Sequence, residues 1–102
     1  MSAPVKLALL GAGGRARGTI GNWLKDRDCE LVAVVDPSQD SLDRTRQMIG
    51  DKAPRATYLK DVKGWLKDPQ ADIVSINSWD PQHAENAIDA FRAGLHVHVA
   101  NR

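Results

Sequence analysis

Short apolar runs alternate with helix-period segments along the whole of this 102-residue chain, and that alternation limits its fold more than any other feature. The first run is Val5–Leu10, Val-Lys-Leu-Ala-Leu-Leu, broken only by Lys6. Such a run predicts a strand covered on both faces. A glycine cluster follows, and then Ala16, Ile20, Trp23 and Leu24 recur on one helical face. Further strands are predicted at Leu31–Val35, Ala56–Leu59, Asp72–Asn77 and Leu95–Val99. Between them lie a helix over roughly Ser38–Ile49, closed by Gly50, a short helix carrying Val62, Trp65 and Leu66, and a helix that starts at Asp80-Pro81. The buried face of that last helix is predicted from Ala84, Ala87, Ile88 and Phe91. Strands joined by crossover helices must be parallel and right-handed. The expected fold is therefore α/β, a doubly wound parallel sheet of Rossmann type, five strands in the order 3-2-1-4-5 within three layers.

Chemistry concentrates at the exit of the first strand. Gly11-Ala12-Gly13-Gly14-Arg15-Ala16 reads G-x-G-x-x-A between a strand and a helix. Gly11 permits the tight turn, Gly13 lets a pyrophosphate approach the backbone, and Ala16 is small enough for close helix–sheet packing. Gly14 belongs to the same turn. The helix start adds unpaired amides and a positive dipole end. Arg15 has two readings, a phosphate partner or a solvated charge. Asp36 ends the second predicted strand, twenty residues after Ala16. A carboxylate there suits the ribose hydroxyls of a dinucleotide, although an acid at a strand end also serves to cap the next helix. It repels the 2′-phosphate of NADP, and Pro37 and Ser38 supply no compensating cation, so NAD is the expected cofactor over NADP.

Length and composition narrow the remaining classes. One hundred and two residues suit a single domain spanning 1–102, with no room for a second substrate domain. Fourteen Lys and Arg against thirteen Asp and Glu give no reason to expect a nucleic acid or membrane partner. No apolar run reaches the roughly 18–20 residues of a membrane span. Met1-Ser2-Ala3-Pro4 does not begin a secretory signal, and the single cysteine, Cys29, cannot form an internal disulfide, so a cytoplasmic setting is expected. His96 and His98 alternate on the fifth strand without an evident third ligand, so no metal site is expected.

Several segments together resemble the glucose–fructose oxidoreductase and inositol dehydrogenase family (Gfo/Idh/MocA). They are Leu-Leu-Gly-Ala-Gly-Gly-Arg at 9–15, Asn22-Trp23-Leu24, the run from Glu30 to Pro37, Asp68-Pro69 with Ala71–Val74, Asp80-x-x-His83-Ala84, and Ala90-x-x-Ala93-Gly94-x-His96-Val97. The resemblance implies an NAD(P)-binding Rossmann domain, normally followed by a larger domain that holds the substrate and supplies an acid/base. It also places His83 near the nicotinamide side. Ser78 and Trp79 stand where the family usually carries Thr-Pro, in a loop expected to face the crevice. Members usually close strand five with Glu-Lys-Pro, whose lysine helps position or protonate substrate. Here the residues are Ala100-Asn101-Arg102, so no catalytic residue is assigned. The expectation is a module that binds NAD and does not turn over substrate alone. Two alternatives stand beside it: a structural domain that self-associates through the exposed edge of strand five, and an oxidoreductase completed by a separate substrate domain.

Overall fold

The computed structural model describes residues 4–12, 20, 21, 25, 28–77, 85, 88–90, 92 and 94–99, with residues 98 and 99 described for their backbone alone. Five strands, β1 (Val5–Leu10), β2 (Cys29–Val35), β3 (Thr57–Leu59), β4 (Ile73–Ile76) and β5 (His96–Val99), form one sheet in the order β3-β2-β1-β4-β5. Every pairing is parallel. The expected topology holds. Two helices are fully described, α1 (Gln39–Ile49) and α2 (Val62–Lys67), and residues 20, 21, 85, 88–90 and 92 are also helical.

Alternation along the strands divides the core in two. Leu7, Leu9, Leu31 and Val34 meet Ile20, Leu42 and Ile49 on one face. Ala8, Leu10, Ala33, Val35, Val74 and Ile76 meet Leu66, Ala90 and Leu95 on the other. The sheet is thus the middle of three layers. The central strand β1 is fully covered from Leu7 to Leu10.

Pairing between β1 and β2 is not uniform. Leu7 lies opposite Leu31, but Ala8 lies opposite Ala33, so Val32 is an extra residue on β2. Val32 and Ala33 consequently both pack toward the same layer. This bulge re-phases the strand so that Leu10 faces Val35, and the chain leaves both strands at the same level.

Local chemistry sets the ends of the helices. Ser38 caps α1, its side-chain oxygen accepting from the Ser41 amide at 3.2 Å. Gly50 closes α1 at φ 54°, and its amide donates to the Arg46 carbonyl. Asp61 caps α2 by accepting from the Gly64 amide at 2.9 Å, and a Cβ at Gly64 would collide with that carboxylate. Gly64 therefore has a local reason that helix propensity alone does not supply. Arg46 lies over the Tyr58 ring, 4.3 Å from its centroid, which ties α1 to β3.

One expectation about packing needs correction. Ile88 is 53% exposed, and Ala90 fills the buried position on that helical segment instead. On α1 the buried residues are Leu42, Thr45 and Ile49. The other residues predicted for helical faces before β2 and after β4, Ala16, Trp23, Leu24, Ala84, Ala87 and Phe91, lie outside the described residues.

Leu9→Ala is expected to cost about 2–5 kcal/mol, whereas Ile88→Ala stays within about 0.5 kcal/mol; urea denaturation followed by circular dichroism measures both. Tyr58 is the sole tyrosine, so its ionisation can be read from phenolate absorbance. Partial burial pushes the Tyr58 phenol above its ordinary value, and the Arg46 charge pulls it part of the way back. Arg46→Met keeps the ring covered and removes the charge, so the titration should move further upward. A folded pKa above the unfolded one means stability is lost as pH rises through that ionisation, and Tyr58→Phe should remove this alkaline component.

Candidate functional site

In a parallel sheet with crossover helices, the carboxyl ends of the strands open on a crevice where the connections diverge. Here that point lies between β1, whose chain turns toward β2, and β4 on its other side. The residues that leave these strands build the site.

Gly11 is the first residue past β1. Its amide donates to the Val35 carbonyl at 2.9 Å, which extends the ladder by one rung. Its φ of 86° then turns the chain, a conformation that side-chain-bearing residues adopt at a cost. Ala12 is fully buried, and its amide donates to Asp36 Oδ2 at 2.7 Å. The Asp36 backbone amide donates to the Leu59 carbonyl at 2.9 Å, so the end of β2 is anchored to β3. Asp36 Oδ1 accepts from the Ser38 amide at 2.8 Å. One carboxylate therefore joins the turn after β1 to the turn after β2. Ser38, not Asp36, caps α1. Each carboxylate oxygen retains acceptor capacity beyond the amide it already takes.

Two further residues at this end had no place in the motif. Thr45, from the middle of α1, donates its hydroxyl to the Ala12 carbonyl at 3.3 Å. Asn77 follows β4, and its amide donates to the Leu10 carbonyl at 2.7 Å, level with the glycine turn. Its side-chain Nδ2 donates to the Ser75 carbonyl at 3.2 Å and to Ser75 Oγ at 3.3 Å. Since the Ser75 carbonyl can only accept, the nitrogen end of the amide must face it. Among the described residues, no donor then reaches the buried Asn77 Oδ1. An unmet buried acceptor costs about 1–3 kcal/mol. The spare acceptor capacity of the Asp36 carboxylate at the end of β2 suits a ligand with hydroxyl donors, such as a dinucleotide.

Of the residues predicted for the site, Gly11 and Asp36 are brought together through the Val35 carbonyl and the Ala12 amide. Gly13, Gly14, Arg15, Ala16, Ser78, Trp79 and His83 lie outside the described residues, as do Asn101 and Arg102. Cys29 begins β2 and is half-buried. Thr45 was legible only as an interruption of the apolar pattern on α1, and Asn77 only as a polar residue ending an apolar run.

Comparison with known proteins decides the lineage. The model of the Gfo/Idh/MocA oxidoreductase family, NAD-binding Rossmann fold, matches residues 5–100. The chain belongs to this family. It is 32% identical over 95 residues to a 1-carboxy-3-chloro-3,4-dihydroxycyclo hexa-1,5-diene dehydrogenase of Comamonas testosteroni, covering 93% of this chain and 23% of that protein. It is 28% identical over 94 residues to an inositol 2-dehydrogenase of Pseudomonas fluorescens, covering 91% of this chain and 27% of that protein. The chain thus spans about a quarter of the length of these curated relatives. Among solved structures, the WlbA dehydrogenase of Chromobacterium violaceum, in complex with NADH and UDP-GlcNAcA, superposes with a TM-score of 0.83 at 26% identity, covering 97% of this chain and 28% of that one. A biliverdin reductase of Synechocystis in complex with biliverdin and NADP+ superposes at 0.82 with 23% identity, covering 98% and 30%. The family module is one that binds a dinucleotide, NAD or NADP.

The positive φ at Gly11 predicts that Gly11→Ala lowers stability by about 1–2 kcal/mol. Gly21 is helical and exposed with open space around it, so Gly21→Ala should be neutral or gain up to about 1 kcal/mol. Thermal melts of the two variants side by side make the comparison.

Proposed function

We propose that residues 1–102 are the nucleotide-binding unit of an oxidoreductase that takes NAD in preference to NADP. The observation that carries this reading is the Asp36 carboxylate, fixed at the end of β2 by the Ala12 and Ser38 amides. Held there, it accepts from the adenosine ribose hydroxyls and repels a 2′-phosphate, and Pro37 and Ser38 bring no positive charge to offset the repulsion. By the motif, Gly13 and Gly14 would let the turn receive the pyrophosphate, Ala16 would allow the next helix to pack close to the sheet, and Arg15 would be a phosphate partner. By their positions in the family motif, Ser78 and Trp79 are assigned to cofactor contact and His83 to the nicotinamide side. Bound NAD would supply hydride acceptance at its nicotinamide ring; the residues of this chain bind and orient it.

The substrate class follows from the relatives by analogy. Their names denote dehydrogenases of hydroxylated rings, and one solved relative carries a nucleotide sugar. The proposed substrate is a secondary alcohol on a polyhydroxylated ring, with the substrate-holding region contributed from outside these residues. Asn101 at the position of the family lysine argues against this segment supplying a proton to the substrate.

Isothermal titration with NAD and NADP tests the reading. NAD should bind with a submillimolar dissociation constant and at least about tenfold more tightly than NADP. Asp36→Ser should weaken NAD by about 10- to 100-fold, the value of losing a charged hydrogen-bonding partner, and should narrow the gap to NADP. Tighter binding of NADP by the unaltered chain would overturn the preference.

A second reading concerns association. In the described sheet β5 is a terminal strand paired with β4 alone, and it is only four residues long. An unpaired edge of this kind can receive a strand from a second copy. Light scattering of the 102-residue chain should then give a mass above that of the monomer, and replacing Val97 with proline should return it to the monomer mass.

A further inference from the structure

The glycine turn is held from a direction that its sequence motif does not contain. Ala12, the residue between its first two glycines, is bonded at both polar groups: its amide donates to Asp36 Oδ2 at 2.7 Å, and its carbonyl accepts from Thr45 Oγ at 3.3 Å. Thr45 is fully buried, and its helical neighbours on that face are Leu42 and Ile49. A hydroxyl in such surroundings is costly unless bonded. Valine has nearly the same shape and would fill the volume without that cost. Packing alone thus gives no reason for the oxygen, and the bond to the Ala12 carbonyl does.

We propose that Thr45 is a positioning residue for dinucleotide binding, its hydroxyl bonding the Ala12 carbonyl so that the glycine turn is pre-set for a pyrophosphate. A peptide unit is planar, so fixing its carbonyl also fixes the direction of the amide it carries. The unit whose carbonyl Thr45 holds is the one that joins Ala12 to Gly13, where the motif requires the backbone to approach phosphate. Asp36 secures the preceding unit. Ordering this turn during folding removes an ordering cost from the binding step. Thr45 touches no ligand in this account; it acts through Ala12.

The proposal rests on the reading that the glycine turn receives the dinucleotide, and the test separates the two. Thr45→Val, Thr45→Ser and Thr45→Ala are titrated with NAD by calorimetry and with adenosine, which lacks the phosphates, by saturation-transfer NMR. Thermal melts run in parallel. Thr45→Ser should stay within about twofold of the unaltered chain for NAD. Thr45→Val should raise the NAD dissociation constant by about 3- to 10-fold, the equivalent of one neutral hydrogen bond, and leave adenosine unchanged. If the valine variant does not melt cooperatively, Thr45→Ala must show the same pattern. NAD affinity unchanged without the hydroxyl, failure of serine to preserve it, or parallel loss of adenosine would each overturn the role of Thr45 alone. Absence of NAD binding by the unaltered chain would remove the underlying reading, and this inference with it.

Discussion

The hydrogen bond between the Ala12 amide and the Asp36 carboxylate is the contact around which the functional end of this chain is organised. It joins the exits of two neighbouring strands just beyond their last ladder bond, from the Gly11 amide to the Val35 carbonyl. Through the same residue the contact spreads further: the Asp36 amide reaches Leu59 on β3, and its second oxygen reaches Ser38 at the start of α1. A carboxylate that accepts from amides makes a charge-assisted bond, roughly twice as strong as a neutral one. It also has a fixed direction, which apolar packing does not provide. The acid that the family motif assigns to the nucleotide is thus also part of the scaffold, and a variant at Asp36 reports both roles at once.

Beneath this contact the two apolar layers supply rigidity. Leu7 to Leu10 are sealed on both sides, so the end of β1 cannot shift without disturbing both clusters. Close-packed interiors resist small displacements. The polar side chains buried among them, Thr45 and Ser75, each serve the carboxyl end of the sheet: Thr45 bonds Ala12, and Ser75 accepts from Asn77. The site therefore inherits its geometry from the core.

The fold was largely legible in the sequence because strands covered on both faces leave continuous apolar runs, as at Val5–Leu10, and the helix starts carry recognisable capping residues. Parallel strands and right-handed connections followed from element order, and the order 3-2-1-4-5 from the Rossmann-type glycine turn that opens the chain. Gly11 and Asp36 were legible because backbone turns and strand-end acids are tied to residue type. Thr45 was not, since its role depends on a carbonyl 33 positions away, a distance that no local pattern encodes. Ile88 was misassigned because helical period gives a face without its phase against the sheet, and Ala90 takes the buried place. Asn77 escaped notice because an orphaned acceptor is defined by what surrounds it.

The bulge at Val32 carries a lesson for recombining such modules. It inserts one residue between the rungs that start β1 and β2 and those that end them. Counted along the chain, the glycine-to-acid interval includes that residue; counted up the ladder, it does not. A chimera that imported a second strand with the same apparent spacing but regular pairing would carry its acid one rung, about 3.3 Å, further out. The Ala12 amide would then face a different partner. Grafting of cofactor preference between members of this fold should therefore match rungs before it matches residue counts.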